Sequence, residues 1–161
     1  MEERDTMKDN CAVCQIIESI KNGTNKYFVK ELETGYLVIG NNQYFCGYSL
    51  FLCKECKNEL FELESGFRQK HMEEMILVSK AVANAFQAEK MNYECLGNGC
   101  SHIHWHLYPR RSHDLGAYGD NGKGPVWWLP SEILWGEDSK PSDDALIKLK
   151  SDLKAELERL I

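Results

Sequence analysis

Between Ser101 and Pro109 the chain alternates strictly, with His102, His104 and His106 separated by Ile103, Trp105 and Leu107. Only an extended backbone, whose successive side chains point to opposite faces, sorts such a sequence into two surfaces. The segment therefore reads as a strand with three imidazoles on one side and an apolar side for the core. The whole chain holds five histidines, so three of them gathered on one strand make a chemical face backed by a packed one. The rest of the fold must give this strand neighbours and a cover for its apolar side.

The flanking sequence supplies both. Residues 11–20 carry Cys14, Ile17 and Ile20 at a short helical spacing. Residues 27–32 and 36–40 are rich in β-branched and aromatic side chains, with Thr34-Gly35 between them as a hairpin turn. Asn41-Asn42 marks a second turn, and residues 48–53 form a third strand, apolar almost throughout and so expected at the centre of the sheet. Ser65 reads as the cap of a helix over residues 66–89, in which Met75, Val78, Val82 and Phe86 share one face. Residues 92–96 and 103–108 are two further strands around Gly97-Asn98-Gly99. The expected class is α+β: an antiparallel sheet of about five strands with a long helix on one face. A unit over residues 1–115 is followed by residues 116–161, a Gly-rich loop (115–124) and a C-terminal helix. That helix is capped by Ser142, carries Leu146, Leu149, Leu153, Leu157 and Leu160 on one face, and packs on its own domain or on a dimer partner.

Composition narrows the function classes. At 161 residues with 43% hydrophobic and 27% charged side chains, the chain is one globular domain. No apolar run is long enough to span a membrane, and residues 1–10 are polar with no apolar signal-like stretch. A net charge of −6 speaks against a general nucleic-acid-binding surface. The expectation is a cytoplasmic domain whose seven cysteines are reduced thiols or metal ligands.

Three same-face imidazoles suit either a metal site or phosphoryl chemistry, in which a neutral imidazole is a good nucleophile near pH 7. Without chemistry they would be a structural or adventitious metal-binding surface. Cys11-x-x-Cys14 and Cys53-x-x-Cys56 both have the spacing of zinc ligands; buried thiols without metal are the bland reading. Cys46, Cys95 and Cys100 read as core or edge thiols. Arg110 and Arg111 are solvated or draw an anion to the triad. His71 falls on the polar side of the long helix, and His113 on a surface loop. Trp127 and Trp128 cover the sheet or a partner, or stack on a base.

His102-x-His104-x-His106, two apolar residues and then Pro109-Arg110 resemble the signature of the histidine triad (HIT) superfamily. The Cys11-x-x-Cys14 entry helix, the strand Gly47-Tyr48-Ser49-Leu50-Phe51-Leu52 and the long middle helix fall in the same order as in that family. The resemblance spans about residues 11–110 and implies a HIT-like fold, often homodimeric with a continuous ten-stranded sheet, acting as nucleotide hydrolase or nucleotidyl transferase. It gives His104 the role of nucleophile at the α-phosphate, forming a nucleotidyl-histidine intermediate, and His106 that of phosphate contact and leaving-group assistant. Asn98 falls where the family has a glutamine. Gly99 falls where a phosphate-binding hydroxyl is common, with Ser101 a partial substitute, and Asn41 or Asn42 stands where an aspartate often holds the ribose.

The resemblance also implies a structural zinc held by Cys11, Cys14, Cys56 and His102, with no catalytic metal. An all-thiolate site with Cys53 in place of His102 stays open on spacing. The implied substrate is a small-molecule nucleotide, a dinucleoside polyphosphate or nucleoside phosphoramidate. Two other readings stand beside it: a nucleotide-binding or regulatory module without turnover, and a zinc hydrolase with all three triad histidines on the metal.

Overall fold

The computed structural model describes residues 10–161; residues 1–9, on which the expectation about a signal-like stretch bears, lie outside the described residues. Helix α1 (Ala12–Lys21) opens the fold, capped by Cys11, whose sulfur accepts the Cys14 amide. Strands β1 (Phe28–Glu31), β2 (Gly35–Ile39) and β3 (Ser49–Cys53) follow, then the long helix α2 (Ser65–Ala85), β4 (Lys90–Glu94) and β5 (His104–Arg110). A short helix α3 (Ser131–Leu134) and the C-terminal helix α4 (Asp143–Leu160) complete it. All strand pairs are antiparallel, in the order β1-β2-β3-β5-β4, so the alternating histidine strand sits inside the sheet and β4 on its edge.

Period-two alternation divides the sheet into two faces. Leu37, Ile39, Phe51, Trp105 and Leu107 turn one way and form a single core with Met75, Val78 and Val82 of α2 and with Leu146, Leu153 and Leu157 of α4. The C-terminal helix is thus part of the main core; Leu153 is fully buried, and truncating it to Ala costs about 2–5 kcal/mol. On the other face α1 lays Val13 and Ile17 against Tyr36, Val38 and Leu52. The chain beyond the sheet returns to the same face, packing Leu115, Val126, Leu129 and Leu134 on Phe45, Tyr48 and Tyr108. His104 and His106 lie between these two patches.

Several boundaries differ from the sequence expectation. Glu64, not Ser65, caps α2: its carboxylate accepts the Gly66 and Phe67 amides, two donors that the first turn otherwise leaves unpaired. The helix stops at Ala85, because Gln87 takes a left-handed turn (φ 53°) that leads into β4. β4 begins at Lys90 rather than 92, and β5 begins at His104, leaving His102 just ahead of the strand.

His71 is not on a polar surface but fully buried. Trp105 Nε1–H donates to its Nε2, its Nδ1–H donates to Thr34 Oγ1, and Thr34 donates in turn to Glu74. A helical position that looks solvent-facing by period is drawn inward by this chain of partners, and burial pushes the imidazole down to about 4, neutral near pH 7. Arg110 is not solvated either. It forms a two-pronged ion pair with Asp114, donates to Asn92 and to the Gly124 carbonyl, and lies over the Phe45 ring. This arginine anchors the return of residues 111–124 to the sheet.

Candidate functional site

Each histidine of the triad has one ring nitrogen tied to a carbonyl or hydroxyl, and that tie assigns the other nitrogen. His102 Nε2–H donates to the Cys53 carbonyl at 2.8 Å. Its Nδ1 therefore carries a lone pair, and it stands 3.4 Å from both Cys11 Sγ and Cys14 Sγ. One step along, His104 Nδ1–H donates to the His102 carbonyl at 2.6 Å, leaving a lone pair on Nε2. His106 Nδ1 meets the Tyr48 hydroxyl at 2.5 Å. Burial holds that phenol well above its ordinary value, hence protonated. With the phenol as donor, the His106 proton resides on Nε2. Burial, with the neighbouring His104 as a lesser cause, lowers His106 to about 4. In that hydrogen-bond orientation the two half-buried rings, with centroids 4.8 Å apart, present an acceptor on His104 and a neutral N–H donor on His106.

His104 lines a cavity of about 270 Å³ together with Asn98, Ser101, Asn58 and Gly97. Asn98 and Ser101, named from the sequence, are therefore beside the nucleophile candidate, though Ser101 already donates its hydroxyl to Asn58. Gly97 lets the loop turn with φ 72° ahead of them. Gly99 faces a neighbouring cavity with the thiols instead. Asn41 is exposed and Asn42 donates its amide to the Gly136 carbonyl and Ser139 hydroxyl; neither lines the cavity beside His104.

Cys11, Cys14, Cys56 and His102 bring their ligand atoms within 4.8 Å of one another, and this set could hold a metal ion. Around tetrahedral zinc, an imidazole nitrogen and a thiolate sulfur stand about 3.5 Å apart, which the 3.4 Å separations match. The chemistry fits as well. Nδ1 is bare toward the sulfurs, and the Cys53 carbonyl, accepting from Nε2–H, orients the ring. Cys53 contributes that carbonyl and not its thiol, which is fully buried and pushed up to about 12 by burial. Burial and the neighbouring Cys56 and Cys11 sulfurs raise the Cys14 thiol, a situation a divalent cation would reverse.

Two residues of the site escape sequence reasoning. Tyr48 stacks on Tyr108 with centroids 4.3 Å apart, which aims its hydroxyl at His106. Gly47 precedes it at φ 95°, with the Phe86 ring where a Cβ would be. Glu94 pairs in register with His106 across β4 and β5. Its Oε2 is buried without a hydrogen-bond partner, and burial raises the carboxyl toward the neutral form against the smaller opposing pulls of Trp127 and Arg110. The face of Glu94 follows from the β4–β5 register, which no local pattern gives, and nothing in the sequence pointed to the Tyr48 contact.

Comparisons with known proteins agree with this fold. The family model described as HIT domain matches residues 25–113, more than half of the chain. Among solved structures, a hypothetical histidine triad nucleotide-binding protein from Sulfolobus tokodaii superposes with TM-score 0.67 at 18% identity, over 91% of this chain and 93% of that one. A histidine triad protein from Sinorhizobium meliloti gives 0.65 at 21% identity, over 80% and 87%. A Zn-bound histidine triad family protein from Mycobacterium smegmatis gives 0.61 at 18%, over 95% and 96%. At these identities the likeness is one of fold. No curated protein matches the sequence.

Proposed function

The chain belongs to the HIT domain family, and from that premise we propose that it is a nucleotide hydrolase or nucleotidyl transferase acting at the α-phosphate through His104. Family membership supports nucleotide binding with hydrolase or transferase activity in general terms. The observation that carries the finer reading is the His104 Nδ1–H bond to the His102 carbonyl, which leaves Nε2 as a lone pair beside the cavity.

Nε2 of His104 forms a bond to phosphorus. The bond to the leaving group breaks with its electron pair on the leaving atom, which takes a proton from water. The positive charge that appears on the His104 ring is stabilised by the His102 carbonyl. His106 enters as a neutral imidazole and its Nε2–H donates to a phosphate oxygen or to the leaving atom. Water then attacks phosphorus and gives up a proton to the hydroxide left by the first step, the electron pair of the N–P bond returns to Nε2, and the nucleoside monophosphate departs. Asn98 offers a carboxamide to a phosphate oxygen. The substrate class is a dinucleoside polyphosphate or nucleoside phosphoramidate. The cavity, about 270 Å³, is smaller than the 300–1,000 Å³ usual for whole ligands, so the nucleoside would extend beyond it.

In this reading zinc on Cys11, Cys14, Cys56 and His102 is structural, since three thiolates and an imidazole close a tetrahedron and leave no position for water. It would fix α1 to the loop that carries the site. For assembly we propose a homodimer meeting along the open edge of β4, where Tyr93 stands exposed. Reaction with an adenosine phosphoramidate, followed by rapid quenching and intact-protein mass spectrometry, tests the activity. The expected result is an adduct of AMP mass on wild type and none on His104→Ala. Bound AMP with neither adduct nor turnover in wild type would replace this reading by a nucleotide-binding module, toward which the missing hydroxyl at Gly99 and the engaged amide of Asn42 incline.

A further inference from the structure

Cys100 stands beside the four-ligand cluster without belonging to it. Its sulfur is 3.8 Å from Cys11 Sγ, the spacing of about 3.8 Å that adjacent thiolates have around one zinc ion. Both residues are half-buried, and a cavity of about 470 Å³ lined by Cys11, Cys56, Cys100 and His102 opens onto them. Cys100 also packs with Cys11 against the apolar underside of α1. A disulfide needs its sulfurs about 2.05 Å apart, so the pair must close by under 2 Å. The loop can give that much: Gly97 turns it with φ 72°, and Gly99, next to Cys100, has open space around it.

We propose that Cys11 and Cys100 are a thiol pair that hydroperoxides convert to a disulfide, expelling the ion held by the cluster. This rests on the metal reading of the cluster. The Cys11 thiolate attacks the peroxide oxygen. The O–O bond breaks, hydroxide leaves, and Cys11 becomes a sulfenic acid. Cys100, as thiolate, then attacks that sulfur; the S–S bond forms, the S–O bond breaks, and the departing hydroxide takes a proton from solvent. Two thiol sulfurs are oxidised and one peroxide is reduced. Cys11 no longer offers a thiolate, so the cation loses one of four ligands. The strain falls two residues from His102, whose carbonyl holds His104.

The test uses the reduced, zinc-loaded full chain, whose zinc content is measured first. After treatment with stoichiometric hydrogen peroxide and alkylation, peptide mapping locates the disulfide while a chromogenic chelator follows zinc release. Wild type is expected to link Cys11 to Cys100 as zinc leaves. Cys100→Ser is expected to form no such link, to stop at a Cys11 sulfenic acid that dimedone traps, and to release zinc more slowly. A wild-type link from Cys11 to Cys14 or Cys56, or zinc release from Cys100→Ser at the wild-type rate, overturns the proposal. A preparation without zinc refutes the metal reading instead, and the disulfide map still decides the thiol pair.

Discussion

Replacing Tyr48 by Phe removes one oxygen and leaves the ring that stacks on Tyr108 and His106 at centroid separations of 4.3 and 5.9 Å. What is lost is the donor to His106 Nδ1 at 2.5 Å. That nitrogen then sits on a half-buried ring without a partner, which costs about 1–3 kcal/mol. The ring escapes the cost by moving its proton from Nε2 to Nδ1, and then turns a lone pair toward the phosphate in place of a donor. If the donor is needed in the transition state, the same 1–3 kcal/mol corresponds to a fall in kcat of roughly 5- to 150-fold. Two measurements separate this from general loosening. Ring-nitrogen chemical shifts of His106 are expected to report an Nε2–H tautomer in wild type and a shift toward Nδ1–H in Tyr48→Phe. Hydrolysis of a fluorogenic adenosine phosphoramidate is expected to lose kcat with little change in KM. A variant with wild-type kcat and an unchanged His106 spectrum would refute the positioning role of Tyr48.

Elemental analysis is expected to find zinc in the purified protein, with Cys56→Ala and His102→Ala losing it and Cys53→Ala retaining it; the opposite pattern for His102 and Cys53 would establish the all-thiolate site. His71 is held down by burial from 6.5 to about 4, so between those values the unfolded chain binds a proton that the folded chain does not. Stability therefore falls as pH drops through that window, by up to about 3 kcal/mol for this group. Urea unfolding of His71→Gln is expected to show a flatter pH slope from 6.5 to 4, and an identical slope would exclude His71 as its source. Arg110→Ala leaves the half-buried Asp114 carboxylate with the Arg111 amide as its remaining donor and is expected to cost about 1–3 kcal/mol in denaturant titration; a loss under 0.5 kcal/mol, on the order of a solvated surface pair, would remove its anchoring role. Light scattering is expected to give twice the monomer mass, and Tyr93→Asp on the β4 edge to halve it, whereas a monomeric wild type would remove the dimer.

Alternation and period are local properties, and they carried the reading a long way. Ile103, Trp105 and Leu107 had to turn inward wherever the strand was placed, so His102, His104 and His106 had to share the opposite side. Met75, Val78 and Val82 likewise defined the buried face of α2, and Leu146, Leu153 and Leu157 that of α4. The spacing of Cys11 and Cys14 offered a candidate ligand pair, and it could not choose between His102 and Cys53 as a distant partner. The choice depends on which ring nitrogen is free, and that is decided by the Cys53 carbonyl arriving across the sheet. For the same reason, helical period placed His71 outside while Trp105, Thr34 and Glu74 drew it in. Arg110, a charge in the sequence, became an anchor once Asp114 and Asn92 stood beside it. Side-chain direction along a strand or helix is set by backbone geometry, which neighbouring residues alone dictate. Protonation state, tautomer and the proximity of Cys100 to Cys11 are set by partners up to 89 residues away, and only chain folding brings those within hydrogen-bonding distance.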